Sequence, residues 1–446
     1  MYTSPVSRRR FLSLSGLAAA GGLIANSKFS LACPEIGSIG PAARLSNGIN
    51  TFASEMFAQL SREKAGNLFF SPFSIETAIA MTSAGARGET LKEMEKVLRL
   101  PEEPHAAFAE LLEEVNGTNG PFGLPSRAKR PYELSSANAL WGMTGYPWRK
   151  EFLDLTRKHY GAGLTEMNFA KSEEARRQIN AWVEHATKAK IKELISPGIL
   201  DRLTRLVLTN AVYFKGDWKT KFDMNQTRDE PFTHASGAKT DAPMMNLTGE
   251  FNYGEWTIQE IEEPKILPSE PPKPFPRRPS RDVKVQVLEL PYAGNQLSML
   301  VYLPDQGSAI GRLTGWLSAE ELGTRRLKPR RVKVSLPRFK TESDLSLKPV
   351  LQSMGMRLAF DRADFSGMHE SSEHLFISHV LHKAFVEVNE AGSEAAAATA
   401  VVVKREAAAI EPQPVVFRGD RPFVFAIREN KTGTALFLGR YSGPKA

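Results

Sequence analysis

Three short motifs with the residue types of an acyl-transfer enzyme occur in order along the chain. They are Ser61-Arg62-Glu63-Lys64, Ser136-Ala137-Asn138 and Lys431-Thr432-Gly433. Serine β-lactamases and penicillin-binding proteins carry motifs of this form, in which the first serine is the nucleophile. Each motif fixes only two or three letters, and Ser61 lies at the polar end of a predicted helix, where nothing would bury a nucleophile. A penicillin-interacting enzyme is therefore kept only as a minor alternative.

No metal or cofactor site is predicted from the sequence. The segment from His369 to His374 is one residue longer than the zinc motif His-Glu-x-x-His, and its polar composition predicts a loop rather than a helix face. The single cysteine, Cys33, excludes an intramolecular disulfide and a cysteine-rich zinc site. Neither a Walker loop nor a Gly-x-Ser-x-Gly elbow is found. We therefore expect no metal and no cofactor.

The composition is that of a folded chain rather than a disordered or fibrous one. Of 446 residues, 41% are hydrophobic and 24% are charged. After residue 35, no segment approaches the roughly 18–20 unbroken apolar residues that a membrane helix needs. The net charge of +8 includes four basic residues in 1–32. The basic run Arg325–Lys333 could bind a polyanion, but a solvated strand edge is the favoured interpretation, and no nucleic-acid partner is expected.

Residues 1–32 have the pattern of an export signal. Arg8-Arg9-Arg10-Phe11-Leu12 precedes a short, weakly apolar segment rich in Gly and Ala, a pattern typical of bacterial twin-arginine signals. We expect cleavage after Ala32 and a protein that works in the periplasm or outside the cell. Cys33 follows directly, which leaves a lipoprotein with a membrane anchor open, although Leu31 lies one place too close for a good lipobox. Residues 33–47 are predicted to be a linker.

The mature chain predicts a single α+β domain over residues 48–446. Helical periodicity begins at Gly48 and is strong over residues 173–195, whereas the later chain is dominated by short apolar strands. The predicted strands are Leu206–Phe214, Val283–Leu290, Ser298–Leu303, Arg331–Leu336, Ala384–Val388, Phe423–Ile427 and Ala435–Leu438. Early helices and late strands without strict alternation favour α+β. Residues 264–279 hold seven prolines, and we predict an exposed insertion between two strands at about 257–282.

Residues 389–416 form an unusual segment rich in small side chains. If Ser393–Lys404 is a strand, one face is wholly small or apolar, and the other begins and ends with a charge. Small side chains suit a strand that must slide between two strands already packed together, and Gly392 offers backbone freedom for a hinge. The composition fits a surface linker or a short helix equally well. Taken alone, it leaves both interpretations open.

Several longer motifs, in order, resemble the serpin family over residues 48–446. They are Asn67–Ile75, Thr209–Trp218, Leu288–Tyr292, Ala363–Met368, His382–Glu390 and Asp420–Phe425, with Gly419 standing where a larger apolar residue is usual. The resemblance implies three β-sheets, eight or nine helices and an exposed reactive-site loop at about 390–416. It also implies a monomeric suicide-substrate inhibitor rather than an enzyme. A serine protease cuts the loop, and the loop then inserts as a strand in the central sheet before the acyl-enzyme is hydrolysed. A non-inhibitory serpin-like binding protein is the main alternative.

The resemblance also assigns roles to individual residues. The implied hinge comprises Glu390, Gly392, Ser393, Glu394, Ala395, Ala396, Ala397, Ala398 and Thr399. The implied shutter beneath the central sheet comprises Ser71, Ser74, Asn210 and His382. The implied breach comprises Trp218 and Arg338, and we expect Arg338 to pair with Glu390.

The family spacing from Gly392 implies a reactive bond between Glu406 and Ala407, which predicts a glutamate-specific protease. A loop one residue shorter would place the bond between Arg405 and Glu406 and predict a trypsin-like target. Cleavage at Val403 or Ala407–Ala409 would suit an elastase-like enzyme, because a small pocket accepts small side chains.

Overall fold

The computed structural model describes residues 40–116, 131–259, 282–323, 326–371, 374–393 and 413–444. The predicted signal, Cys33, most of the proline-rich segment and most of the predicted reactive-site loop lie outside these ranges. Residues from Gly40 onward form one compact unit. No helix in the described ranges has the length and apolar character to cross a membrane.

The described residues form nine α-helices. They are α1 (Pro41–Glu63), α2 (Pro72–Ser83), α3 (Gly88–Leu98), α4 (Pro104–Asn116), α5 (Lys150–Tyr160), α6 (Ser172–Ala186), α7 (Ile310–Trp316), α8 (Ala319–Gly323) and α9 (Lys348–Met354).

Two helix boundaries differ from the sequence prediction. Helix α1 begins at Pro41, so residues 41–47 of the predicted linker are helical, with proline in the first turn and Leu45 fully buried. Helix α6 ends at Ala186, nine residues before the predicted end. Ile191 and Leu194 lie beyond the end of α6 but are buried in the same hydrophobic core as the helix. The helix-like spacing of apolar residues therefore continues past Ala186. The Asn180 side chain bonds backbone groups of this non-helical segment.

The described ranges also contain fifteen strands. They are β1 (Leu68–Phe70), β2 (Tyr132–Met143), β3 (Leu164–Met167), β4 (Leu206–Asp217), β5 (Arg228–Thr233), β6 (Lys239–Ile258), β7 (Val283–Pro291), β8 (Leu297–Pro304), β9 (Lys328–Pro337), β10 (Phe339–Ser346), β11 (Ile377–Val388), β12 (Gly392–Ser393), β13 (Val415–Arg418), β14 (Phe423–Glu429) and β15 (Ala435–Tyr441). All seven strands named from the sequence are present within these bounds, so the α+β class is confirmed.

Hydrogen bonds join the described strands into two sheets rather than the three expected. One is six-stranded, in the order β10-β11-β12-β4-β2-β3, and the other has nine strands, β1-β15-β14-β8-β7-β6-β9-β13 with β5 beside β6. The difference arises from β6, whose 20 residues pair with β5 at one end and with β7 at the other. Because β6 takes part in both groups of strands, the two groups are hydrogen-bonded into one continuous sheet. At its far end, Ile258 pairs with Val283, so the proline-rich segment connects neighbouring strand ends.

Helix α2 lies between the two sheets and is buried on every side. Ser71 caps it by accepting from the Ser74 N–H at 3.1 Å, and Pro72 occupies the first turn, as the sequence predicts. All twelve helix residues are buried, which is typical of a core helix without a polar face. The six-stranded sheet therefore rests on a helix that cannot move without disturbing the core.

One charged residue of α2 conflicts with this environment. Glu76 is fully buried, and neither carboxylate oxygen has a hydrogen-bond partner among the described residues. Burial holds the pKa of Glu76 well above its usual range. The folded protein therefore keeps a proton on this carboxyl at pH values where the unfolded chain has lost it. Its contribution to stability is greatest at low pH and is lost as the pH rises through the folded-state pKa.

We expect Glu76→Met to stabilise the protein, because methionine matches the length of glutamate and has no polar atom to leave unpaired. The expected gain in the free energy of unfolding is about 1–3 kcal/mol at pH 8, and smaller at pH 5. Urea titration at both pH values measures it. Glu113→Met, at an exposed position of α4, is the control and should change stability by less than about 0.5 kcal/mol. Equal or lower stability of the Glu76 variant at pH 8 would contradict this account.

Candidate functional site

The central feature of the six-stranded sheet is a parallel pair of strands that separates at one end. Strands β4 and β11 pair from Leu206 opposite Ile377 to Tyr213 opposite Phe385. Beyond that point β12 enters between them. Its residue Ser393 pairs antiparallel with both Val388 of β11 and Gly216 of β4. Gly392 and Ser393 of the predicted hinge therefore occupy a gap in the sheet as a two-residue strand.

A tight turn leads into this short strand. The backbone groups of Asn389 and Gly392 bond each other, at 2.8 Å and 3.2 Å, and the Asn389 side chain accepts from the Ala391 N–H at 3.0 Å. Gly392 passes so close to β4 that a Cβ atom there would lie 2.1 Å from the carbonyl oxygen of Gly216. Only glycine fits at this close approach of two backbones.

Two aromatic side chains contact the turn at residues 389–392 and the strand β12. The Trp218 ring stacks on Tyr292, with centroids 4.6 Å apart. Its indole N–H donates to the carbonyl of Asn389 at 2.9 Å, and its backbone N–H donates to that of Ala391 at 2.9 Å. The Tyr292 hydroxyl is 2.8 Å from the hydroxyl of Ser393. Trp218, the predicted breach residue, thus contacts the turn that leads into β12.

The predicted partner of Glu390 lies beside it. Arg338 Nη1 is 3.6 Å from Glu390 Oε1, and the Thr227 hydroxyl donates to the same oxygen at 2.8 Å. The carboxylate is 6% exposed and the guanidinium 46% exposed. A half-exposed ion pair of this length contributes at most about 1 kcal/mol. The shorter Thr227 bond, which the sequence did not suggest, is the better-shielded contact.

The four residues of the predicted shutter meet lower in the same sheet. Asn210 of β4 donates from its amide to the Ser74 hydroxyl at 2.6 Å and to Asn138 of β2. Its carbonyl oxygen bonds His382 Nδ1 of β11. Ser71 donates its backbone N–H to His382 Nε2 at 3.2 Å. This shutter cluster ties three strands of the sheet to the start of α2.

The partners of His382 fix its protonation state. A backbone N–H can only donate, so Nε2 must accept, and Nδ1 must carry the proton that bonds Asn210. The imidazole is therefore neutral. Burial lowers the pKa of His382 to about 3, although hydrogen bonding with Asn210 acts in the opposite direction. A second proton would require the loss of the Ser71 bond.

Two members of the shutter cluster were noted in the sequence only as part of the minor enzyme alternative. Ser136 and Asn138, assigned there to an enzyme motif, lie two residues apart on β2, and both contact the Ser74 hydroxyl at 2.9 Å. Ser61 has a buried hydroxyl without a hydrogen-bond partner among the described residues, and Lys431 pairs with Glu114. Within the described ranges the three motifs therefore do not form one site, and no hydrogen-bonding group lies beside the Ser61 hydroxyl to act as a base. The spacing of Ser136 and Asn138 on one strand face was the available signal.

Other predicted site residues fall outside the described ranges. They are Glu394, Ala395, Ala396, Ala397, Ala398, Thr399, Val403, Arg405, Glu406 and Ala407–Ala409. The chain is described again from Gln413, and β13 then pairs in parallel with β9 of the nine-stranded sheet. The segment 394–412 therefore connects the two sheets. Within the described ranges, no group of three or more His, Cys, Asp or Glu side chains could hold a metal ion.

Known proteins of the same architecture identify the family. The family model described as serpin (serine protease inhibitor) matches residues 47–444. The chain belongs to the serpin family. It is 40% identical over 402 residues to an uncharacterized serpin-like protein of Thermococcus kodakarensis, covering 90% of this chain and 85% of that one. It is 38% identical to the leukocyte elastase inhibitor of Homo sapiens, covering 90% of this chain and all of that one.

A solved structure supports the same assignment. The chain superposes on Serpin48 of the insect Tenebrio molitor with a TM-score of 0.75 and 30% sequence identity, covering 90% of this chain and 98% of that one. The serpin fold expected from the sequence is thereby confirmed.

Because His382 is neutral in the folded protein, we expect the stability of this serpin to fall in acid. Because its folded-state pKa is below the unfolded value of about 6.5, the unfolded chain takes up a proton first as the pH falls. The stability that His382 contributes is present above pH 6.5 and is lost as the pH falls towards 3. Each pH unit in that window removes about 1.4 kcal/mol.

We expect wild-type protein to lose about 2–3 kcal/mol more than His382→Gln between pH 6.5 and pH 4.5. Urea titrations at the two pH values measure this difference. His374→Gln is the control, because His374 is exposed, and it should keep the wild-type pH dependence. Parallel pH curves for wild type and His382→Gln would show that His382 is not held neutral by the fold.

Proposed function

We propose that this serpin is a suicide-substrate inhibitor of serine proteases. In this mechanism the protease cuts the loop within residues 394–412 and forms an acyl-enzyme. The loop then inserts between β4 and β11 before water releases the product. The observation that carries the proposal is β12, which pairs with both of these strands in the uncut chain.

The direction of the neighbouring strands favours further insertion. A strand continuing from Ser393 runs antiparallel to both β4 and β11, which run parallel to each other. One parallel ladder is thereby replaced by two antiparallel ladders, which are slightly more stable per residue and contain more hydrogen bonds. About 14 inserted residues would span roughly 46 Å at 3.3 Å each. That distance would carry an attached protease to the opposite end of the sheet.

The register of β12 predicts which residue of the inserted strand would lie beside the shutter cluster. Ser393 lies opposite Gly216 and Val388, and six residues further along the inserted strand is Thr399. Six residues back along the two neighbours are Asn210 and His382, which are paired with each other in the uncut sheet. Thr399 is the one hydroxyl residue in 394–403. Insertion would separate Asn210 from His382 and would place the Thr399 hydroxyl level with both of them.

The proposal also covers the cleavage site, the class of target protease and the cellular location of the protein. Family spacing favours Glu406–Ala407 and a glutamate-specific protease, with Arg405–Glu406 and a trypsin-like protease second. The name of the human relative, leukocyte elastase inhibitor, supports an elastase-like target cutting near Val403 or Ala407–Ala409. The twin-arginine pattern supports an exported protein, with a membrane anchor only if Cys33 is lipidated. The family resemblance supports a monomer.

The first test mixes the mature protein with a glutamyl endopeptidase, trypsin and an elastase in separate reactions. On a denaturing gel, we expect a band at the summed mass of inhibitor and protease with at least one of them. Mass spectrometry of the released C-terminal peptide identifies the cut bond. Cleavage by every protease without such a band, and without a rise in the melting temperature of the cut protein, would point to a non-inhibitory serpin-like binding protein.

A matched pair of hinge variants tests insertion itself. Ser393 is fully buried, so a strand extended from it places Ala397 on the same inward face and Ala398 on the opposite face. Ala397→Glu should convert the inhibitor into a substrate that is cut without forming the stable band, because insertion would bury an unpaired charge. Ala398→Glu should retain the band. An unchanged yield for Ala397→Glu would contradict insertion in this register.

Thr399→Val tests the proposed contact with the shutter cluster. Valine keeps the shape of threonine and removes its hydroxyl, which would leave Asn210 and His382 without that partner after insertion. We expect the cut variant to be less stable than the cut wild type by about 1–3 kcal/mol, whereas the uncut proteins should be equal. Thermal or denaturant unfolding of both forms makes the comparison. An equal loss in cut and uncut protein would exclude a contact specific to the inserted strand.

A further inference from the structure

The hydroxyl of Ser393 is held in the gap by Tyr292 from the other sheet. Both side chains are fully buried, and their oxygens lie 2.8 Å apart. Tyr292 follows β7 and forms an isolated bridge with Trp218, which follows β4. The contact therefore links the first residue in the gap to the junction between the two sheets.

The position of the Tyr292 hydroxyl is tightly constrained. Its ring is stacked on Trp218 and meets Phe214 edge-on, with centroids 5.1 Å apart. Gly216 leaves room for the ring, since a Cβ atom there would approach Tyr292 Cδ1 to 3.0 Å. Burial raises the pKa of Tyr292, so the hydroxyl keeps its proton at neutral pH. A rigid ring of this kind can fix the place of its hydrogen-bond partner.

We propose that Tyr292 is a positioning residue that sets the register of strand insertion by holding Ser393 between β4 and β11. The proposal rests on the inhibitory function proposed above. Side chains on a strand alternate between faces, so a slip by one residue would exchange the two faces of the whole segment. With Ser393 inward, the inward face continues with Ala395, Ala397 and Thr399.

A slipped register would present a different set of side chains to the core. Glu394 would then replace Ser393 on the inward face, and its carboxylate would lie where Tyr292 and the neighbouring aromatic rings exclude water. An unpaired buried carboxylate costs several kcal/mol, so a chain in that register would stall. A stalled chain leaves time for hydrolysis of the acyl-enzyme. Loss of the Tyr292 contact should therefore shift the outcome from trapping towards simple cleavage.

The experiment compares Tyr292→Phe with a matched loss of a buried tyrosine hydroxyl elsewhere. Tyr302 is equally buried, and its hydroxyl donates to the carbonyl of Glu321 at 2.8 Å, in the nine-stranded sheet. The measurement is the number of inhibitor molecules consumed per protease molecule trapped, using the protease that gives the stable band with wild type. We expect Tyr292→Phe to raise this number at least threefold and Tyr302→Phe to leave it within experimental error.

The double variant Tyr292→Phe/Ser393→Ala separates positioning from general stability. Removing both hydroxyls leaves no unpaired polar atom, so the thermal stability of the uncut protein should return towards wild type. The number of inhibitors consumed should remain raised, because the contact that fixes the register is still absent. A return of both quantities to wild type would overturn the proposal. So would equal effects of Tyr292→Phe and Tyr302→Phe.

A second measurement needs no protease and keeps the two proposals distinguishable. Hydrogen exchange of the uncut full-length chain reports on residues 389–393 directly. We expect Tyr292→Phe to speed exchange of these amides at least tenfold, with no such change in Tyr302→Phe. If wild type traps no protease, the inhibitory function fails, and faster exchange would still establish that Tyr292 holds the hinge. Unchanged exchange in Tyr292→Phe would refute the positioning role whether or not the protein inhibits.

Discussion

The structure depends on the contact between two parallel strands, β4 and β11, which is closed along most of its length and open at one end. On either side of this pair, β4 pairs antiparallel with β2 and β11 pairs antiparallel with β10. Because β4 and β11 run in the same direction, an antiparallel strand added between them fits both partners. The two residues of β12 show that the backbone can enter there.

Two groups of side chains hold this contact, one at its open end and one near its middle. At the open end, Trp218 and Tyr292 hold the hinge turn and Ser393. Further along β4, the shutter cluster around Asn210 holds β2, β4 and β11 to α2. Six residues of β4 separate Gly216 from Asn210, or about 20 Å. The hinge thus enters the sheet between β4 and β11 at the level of Gly216. About 20 Å further along, buried hydrogen bonds of the shutter cluster hold the same two strands together.

The sequence predicted much of this arrangement, and its errors have physical causes. Ser71, Ser74, Asn210 and His382 were placed together by resemblance, and the structure brings them into contact. Ser136 and Asn138 were missed because nothing in the sequence states the register of β2 against β4, which decides that Asn138 lies opposite Asn210. The contact of Thr227 with Glu390 joins residues 163 apart and could not be read from local spacing. Among the described strands, hydrogen bonds join two of the three implied sheets through β6, and strand length alone does not reveal that β6 belongs to two ladders.

The shutter cluster also explains how insertion could be favourable overall and yet wait for cleavage. The hydrogen bond between His382 and Asn210 spans the two strands that an inserted chain would separate, so it must break before Thr399 can reach that level. Both groups are buried, so breaking this bond costs free energy that a new hydrogen-bond partner on the inserted strand could offset. The cost comes in the middle of insertion, whereas most ladder hydrogen bonds form later. On the proposed mechanism, cutting the loop frees its hinge end from the end that continues into β13, and the bond between Asn210 and the neutral imidazole of His382 contributes to the barrier that remains.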